Sequence, residues 1–497
     1  MAPPGSSALG GDGDGTAPVI ESRPLSAFED MFARSAPHLG MTCQWFRLSC
    51  AENNSPCRPD DIVAALHRVH RRIVPLRCVL EKTPDGSISL VVREGLKPDI
   101  SIVDDDDGSC ADADDHGLHL LLEQLAAREV SEGFGPTADC YHDRPLWRAR
   151  VLPRLGWVVV SWHHAICDGS SRKIFTAELM DALEKGGESN DDDDKDKYTF
   201  HPCADDLLNK ALQKQAAQVQ PPTKEESSEA DGGNGPAAMP QCWPKPDKAV
   251  PLTERSIQAP SAAIPNASRL RHAARAHDVT VSAVLLAALA VVVRKQMDEV
   301  DASEPICVSP VTMGVDVRRH LSDVSNNNGN KQLFGCYVIG GSIGTKVPIQ
   351  TGQDTRSIWD LARHMSSEIP EATTLSHSVS KCKELKAMLD VPMTPEVLSG
   401  IMGMINGPTQ GRTGPANLSN IGVVPSKSSG GAIQMDRLFS ITSQTSIGSY
   451  AFMNAATVND HMCVTLGSVQ PIVSEERGRA MLDDLRKIID GVIAMKE

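Results

Sequence analysis

Several things are scarce in these 497 residues, and each scarcity removes a class of protein. No apolar run reaches the roughly 18 residues that suggest a membrane span. The longest candidate, Val279 to Val293, is interrupted by Thr280 and Ser282 and stops at Arg294, so it reads as a buried helix and no stable membrane insertion is expected. Residues 1–19 lack the basic start and apolar stretch of a secretory signal and are rich in Gly, Pro and Ser, which makes them an expected disordered leader. The 13 cysteines form no CxxC pair; together with the missing signal this argues for reduced thiols in a cytoplasmic setting. Basic residues are outnumbered, 49 Lys and Arg against 64 Asp and Glu, and a formal charge of -15 argues against a nucleic-acid binder. The acidic runs Asp104–Asp107 and Asp191–Asp194 lack the alternating ligands, turn glycine and distal Glu of a calcium loop. They read as solvated loops, and no metal is expected.

What is present is a chain too long for one core, so two domains are the default. From 20 to 185, helical and strand-like segments alternate. Asp60 to Ile73 has helical spacing stopped by Pro75, and Leu76 to Leu80 and Ser87 to Val92 read as strands around Pro84-Asp85-Gly86. Leu118 to Ala127 and Ser171 to Leu183 read as helices, and Trp147 to Leu152 and Trp157 to Trp162 as strands. Residues 186–250 hold few large apolar side chains and read as a partly disordered acidic linker with one short helix near Ala204 to Ala217. A second half, 251–497, follows. It has two helices between Ala267 and Gln296, strands near Ile306 to Met313, Gly335 to Ile343, Leu418 to Val424 and Met462 to Val469, and a C-terminal helix opened by Ser474. This alternation favours an α/β, α+β-sandwich architecture.

The densest chemical information lies between Trp157 and Ser171, where a strand runs into His163-His164, then Asp168-Gly169, then a helix. Neighbouring strand residues face opposite sides, so one histidine packs inward while the other faces a cleft. Asp168 is placed to accept a hydrogen bond or pair with a cation that holds the turn. Gly169 is expected to adopt backbone angles forbidden to a side chain. A neutral imidazole with an ordinary pKa of about 6.5 suits proton removal from an alcohol attacking a thioester, help worth roughly 10²- to 10⁴-fold in rate. A pair of structural histidines at a strand end is the plainer reading of the same residues.

The segment His163-His164-Ala165-Ile166-Cys167-Asp168-Gly169 resembles the HHxxxDG signature of the CoA-dependent acyltransferase superfamily. That group includes chloramphenicol acetyltransferase, peptide-synthetase condensation domains and polyketide-associated acyltransferases. Further likeness lies in Arg23-Pro24-Leu25-Ser26 with Glu29, Pro75-Leu76-Arg77, Pro145-Leu146-Trp147-Arg148, Val315-Asp316-Val317-Arg318-Arg319 and Leu418-Ser419-Asn420-Ile421-Gly422. The resemblance implies two chloramphenicol-acetyltransferase-like halves, each a mixed sheet with helices, meeting at an active-site tunnel. It implies His164 as general base, His163 as a structural neighbour, and Asp168 paired with an arginine from the second half, Arg318 first and Arg319 second. Ser419 and Asn420 become candidates for oxyanion or donor contacts. No bound cofactor is implied; acyl-CoA or an acyl carrier protein thioester is the co-substrate, the acceptor is a small alcohol or amine, and a monomer is expected. The DFGWG segment of the plant branch is missing, and the flanking matches lie nearest the alcohol O-acetyltransferase and polyketide-associated branches, which favours O-acylation.

Three alternatives stay open. Amide formation would use the same histidine. A serine hydrolase would use Ser342 of Gly340-Gly341-Ser342-Ile343-Gly344, although a nucleophile elbow needs a helix directly after the serine, and Ser170-Ser171-Arg172-Lys173 satisfies SxxK without its usual partner motifs. A binding module of the same fold would carry no activity. Cys167, inside the motif, reads as a packing residue.

Overall fold

The computed structural model describes residues 18–34, 40–103, 115–133, 144–152, 155–186, 198–218, 250–297, 308, 311–321, 333–343, 355–444 and 446–495. Nearly all of the expected leader, both acidic runs and most of the expected linker lie outside the described residues.

The first half runs β1 (Val19–Pro24), α1 (Ala27–Arg34), β2 (Met41–Cys50), α2 (Pro59–Arg72), β3 (Cys78–Lys82), β4 (Ile88–Arg93), β5 (Asp99–Ile102), α3 (Asp115–Glu132), β6 (Trp147–Val151), β7 (Trp157–His163) and α4 (Gly169–Glu184). Local chemistry accounts for α2: Pro59 opens it, Asp60 and Asp61 sit at its positive end, and His70, Arg71 and Arg72 at its negative end. Its apolar stripe of Ile62, Ala65, Leu66 and Val69 is buried. Leu76 falls in a 3-10 turn, Val74–Arg77, so the following strand starts two residues later than its sequence pattern indicates.

A helix α5 (Ala204–Gln218) joins the halves. It is part of the folded body: Leu207 and Leu208 are buried, and Asp205 accepts a hydrogen bond from the Ala27 amide at 2.8 Å. The second half continues with β8 (Ser256–Gln258), β9 (Ser261–Pro265), α6 (Ala267–Ala276), α7 (Val281–Arg294), β10 (Val311–Asp316), β11 (Val338–Ile343), α8 (Thr355–Ala372), α9 (Leu375–Leu389), α10 (Pro395–Asn406), β12 (Arg412–Val423), β13 (Ile433–Thr442), β14 (Gly448–Val458), β15 (His461–Gln470) and α11 (Glu475–Ala494). Thr280 caps α7 by accepting from the Ala283 amide, and every residue from Ala283 to Arg294 is buried, as an all-apolar core helix requires. No single described helix is long and apolar enough to cross a membrane; α6 and α7 together pass on length and composition but are bent by 97°.

The described strands form three sheets. A small one has the order β1-β4-β3. The second-half sheet runs β11-β10-β12-β14-β15-β8, with β9 also on β15, and mixes parallel β10-β12-β14 pairs with antiparallel ones. The first-half sheet has the order β13-β2-β7-β6-β5. Its edge strand β13 belongs by sequence to the second half and pairs antiparallel with β2, from Ile433 opposite Cys50 to Thr442 opposite Thr42. The two halves therefore share a sheet.

Strand β7 is central in that sheet and buried along its whole length. Val158, Val160 and Trp162 join one core with α2 and α4, while Trp157 and Val159 join another with α3 and the second half. Covered on both faces, the strand is a near-continuous apolar run and a fixed support for the residues that follow it.

Candidate active site

At the end of β7 the two histidines separate. His163 is 3% exposed, and its Nδ1 accepts from the Ala165 amide at 3.2 Å. Gly40 makes room for it, because a Cβ there would lie 2.7 Å from the His163 Nε2. The His164 amide donates to the Gly40 carbonyl at 2.5 Å, and its ring stacks flat on Phe32 with centroids 4.2 Å apart and planes 6° from parallel. Part of the His164 residue stays accessible, while Nδ1 is buried with no partner in another described residue.

The ring's pKa is not the ordinary one. Burial and then the positive charge of Arg172 push it down to about 4, against weaker opposition from its own carbonyl and Asp168. His164 is neutral at neutral pH with a margin that the sequence reading, which took about 6.5, does not contain.

Asp168 is 2% exposed and does two jobs with one carboxylate. It caps α4 by accepting from the Ser171 amide at 2.9 Å, and it accepts from Arg318 through NH1 at 2.7 Å and NH2 at 3.0 Å. The Tyr337 amide adds a fourth bond at 2.8 Å. Burial raises the carboxyl pKa, but Arg318 and the two amides outweigh it and hold the group below the usual carboxylate range. Arg318 is itself fixed: its Nε donates to the Leu333 carbonyl at 2.9 Å, and its guanidinium lies 4.8 Å over the Tyr337 ring. Arg319, the second candidate partner, is exposed and donates to the Thr373 carbonyl instead.

Gly169 requires a correction. Its backbone is not in the left-handed region. The demand is for space, since a Cβ at this position would sit 2.5 Å from Cγ2 of Ile421 on β12. Around that contact the first turn of α4 grips the second half. Ser170 donates to Asp316 at 2.5 Å, Ser171 Oγ to the Gly335 carbonyl at 2.8 Å, and Lys173 to the Ile421 carbonyl at 2.8 Å. Asp316 and Ile421 lie in segments whose family likeness is visible in the sequence, but these pairings do not stand out there, because each is set by strand placement in the other half.

Ser419 and Asn420 lie on opposite faces of β12. Asn420 donates to Ser282 Oγ at 3.1 Å and accepts from the Gly422 amide at 3.0 Å, which ties β12 to the start of α7 and turns the amide away from the motif. Ser419 takes the other face, in register with the buried Asn454 of β14. Ser342 is inside β11, exposed, and opposite Thr312 in antiparallel register, which is not the strand-to-helix corner of a nucleophile elbow; the residues from 344 to 354 lie outside the described set. Ser170 and Lys173 bond to different partners, so the SxxK spacing builds no dyad. Burial raises the Cys167 thiol pKa well above its ordinary value, which leaves it a packing residue. Among the described residues no cluster of three His, Cys, Asp or Glu side chains could hold a metal.

A cavity of about 1020 Å³ opens between the halves, lined by Trp157, His119, Phe439 and Arg479 among others. It lies at the start of β7, about 20 Å along the strand from His163, and is separate from the motif loop.

Comparison with known proteins agrees with this architecture. The chain is similar to the polyketide synthase associated protein 5 of Mycobacterium tuberculosis, with 15% identity, a TM-score of 0.58, and 97% of this chain and 100% of that one covered. It is similar to the trichothecene 15-O-acetyltransferase of Fusarium sporotrichioides, with 10% identity, a TM-score of 0.61 and 95% of each chain covered. The condensation domain of the monacolin K polyketide synthase gives 15% identity and a TM-score of 0.55 over 95% of this chain and 97% of its own. At such identities the likeness speaks for the fold. Among curated protein sequences none matches. The profile described as "Condensation domain" matches residues 41–326, more than half of the sequence, and includes the motif loop, Asp168 and Arg318. The chain belongs to the condensation-domain family.

Proposed function

We propose that this protein is an acyltransferase that moves an acyl group from a thioester, acyl-CoA or a carrier-protein arm, to a hydroxyl acceptor, with His164 as general base and no covalent acyl-enzyme. The observation that carries this reading is the His164 ring: neutral, held flat by Phe32, partly accessible, at the end of a fully buried strand. In the reaction Nε2 takes the acceptor's hydroxyl proton as the oxygen attacks the thioester carbonyl. The tetrahedral oxyanion then collapses, the C–S bond breaks, and the imidazolium returns its proton to the departing thiolate. Asp168 and Arg318 act as positioning residues that lock the motif loop onto the second half, and His163 supports the turn. Ser419 is the candidate for an oxyanion or donor contact. Family membership supports acyl transfer in general; the flanking motifs favour an alcohol over an amine.

The test is thiol release from a panel of acyl-CoA donors, with and without a mixed pool of alcohols or amines. Release that needs an alcohol and falls by roughly 10²- to 10⁴-fold in a folded His164→Ala variant supports the proposal. Unchanged release in that variant removes His164 as base, and release that needs an amine reassigns the acceptor.

A further inference from the structure

Beneath the motif loop lies a buried cation with no counter-ion among the described residues. Arg172, in the first turns of α4, is 2% exposed. Its NH1 donates to Thr42 Oγ1 at 2.9 Å, and its Nε has no hydrogen-bond partner. Among the described residues no carboxylate forms an ion pair with it: Asp168, the acid nearest in sequence, is taken by Arg318. A charge removed from water and left unpaired is costly, so its retention in a core position calls for an anionic partner.

The surroundings point the same way. Thr42 of β2 lies directly opposite Trp162 of β7, and Gln44 is two residues further along β2, so all three side chains project from one face of the sheet, the face that α4 covers. Trp162 Nε1 and both amide atoms of Gln44 are buried without hydrogen-bond partners among the described residues. With Arg172 Nε that makes three orphan donors against one orphan acceptor, on neighbouring positions of this face of the sheet and the helix that covers it. Such a donor-rich cluster is complementary to a carboxylate, which offers two oxygens and no proton. The cluster adjoins the reacting centre: Arg172 NH2 lies 3.7 Å from the point where a Gly169 Cβ would stand, and its charge is felt at the His164 ring.

We propose that Arg172, with Thr42, Gln44 and Trp162, forms a buried anion subsite that receives a carboxylate carried by one of the two substrates. The inference deepens the acyl-transfer reading, on which the word substrate rests; the subsite itself is read by binding. Two sources share the chemistry. The carboxylate comes on the acyl group, as in a dicarboxylic half-thioester, or on the acceptor, as in a hydroxy acid.

The experiment is isothermal titration of the full-length protein with two matched pairs, succinyl-CoA against butyryl-CoA and 3-hydroxybutyrate against 3-hydroxybutyramide. In one pair the carboxylate member is expected to bind at least tenfold more tightly, and Arg172→Gln to remove that preference while changing the neutral member less than twofold. Gln44→Met, which keeps the volume and removes the amide, is expected to weaken the carboxylate member at least threefold and serves if Arg172→Gln does not fold. Equal affinities within both pairs, binding of none of the four, a preference that survives Arg172→Gln, or one that Gln44→Met reduces by less than threefold overturns the proposal, and the orphan donors are then hydrated. Carboxylate preference without any thiol release would sink acyl transfer and leave the subsite standing; release without preference would do the reverse.

Discussion

The bridge between Asp168 and Arg318 offers the sharpest energetic test, because the structure specifies what each partner loses. In Arg318→Met the Asp168 carboxylate, 2% exposed, keeps the Ser171 and Tyr337 amides but loses its counter-ion and two bonds. Removing one member of such a pair costs about 3–5 kcal/mol. In Asp168→Asn the guanidinium keeps the Leu333 and Gly335 carbonyls and Asp316, and its side chain is 16% exposed, so the cost belongs at or below the bottom of that range. The double variant removes the uncompensated charge, so its cost falls short of the sum of the two singles by about 2 kcal/mol or more. Urea unfolding at pH 7 of the wild type and the three variants, followed by tryptophan fluorescence and by far-UV circular dichroism, measures this; coincidence of the two signals checks that one transition is being compared. Additivity within about 0.5 kcal/mol, or an Arg318→Met cost below about 1 kcal/mol, would refute the reasoning. Because Asp168 titrates below the ordinary carboxylate range, the bridge's contribution is intact above pH 4 and is lost only as the pH falls through the depressed value.

Other outcomes follow from burial and crowding. His70, His163 and His164 have pKa values pushed down to about 4, 3 and 4, mainly by burial, whereas an unfolded histidine titrates near 6.5. Between pH 6.5 and 4 the unfolded chain therefore binds more protons, and the thermal midpoint should fall steadily across that window; a flat profile would contradict the burial of these rings. For the same reason kcat/KM for acyl transfer should stay level from pH 8 to pH 5, and an acid limb centred at 6.5 would show His164 to be solvated in the working enzyme. Gly169→Ala should destabilise the fold by about 1–3 kcal/mol through collision with Ile421, and Ile421→Ala in the same chain should recover part of that loss in chemical denaturation.

Much of the frame is legible in the sequence because it is written locally. The helical stripe of α2, the capped α7 and α11, and the strand entering His163 all announce themselves by period, cap and breaker. The Asp168 and Arg318 pair was reachable because a family resemblance supplies a partner that spacing alone cannot. What the sequence hides is decided by long-range packing. Gly169 looks like a turn glycine, yet its constraint comes from Ile421, far along the chain. The histidine's low pKa depends on how deeply the loop is covered and on Arg172 beneath it, neither of which leaves a mark in a motif. Asn420 looks polar and available, and its amide is taken by Ser282 and Gly422. Strand β13 reads as one more second-half segment, and only its pairing with β2 reveals that it completes the first-half sheet.

That last feature bears on how the protein is made. On the ribosome β2, β7, β6 and β5 emerge early, but the strand that covers the open side of β2 is complete only when Thr442 has been synthesised. Until then one edge of a ten-residue strand, the side away from β7, stands with its backbone donors and acceptors unpaired, an invitation to pair with another nascent chain. The sequence leaves that edge open for most of translation, so the late-arriving strand is where solubility during synthesis is decided. A chain halted before Ile433 should need a chaperone that the complete chain does not.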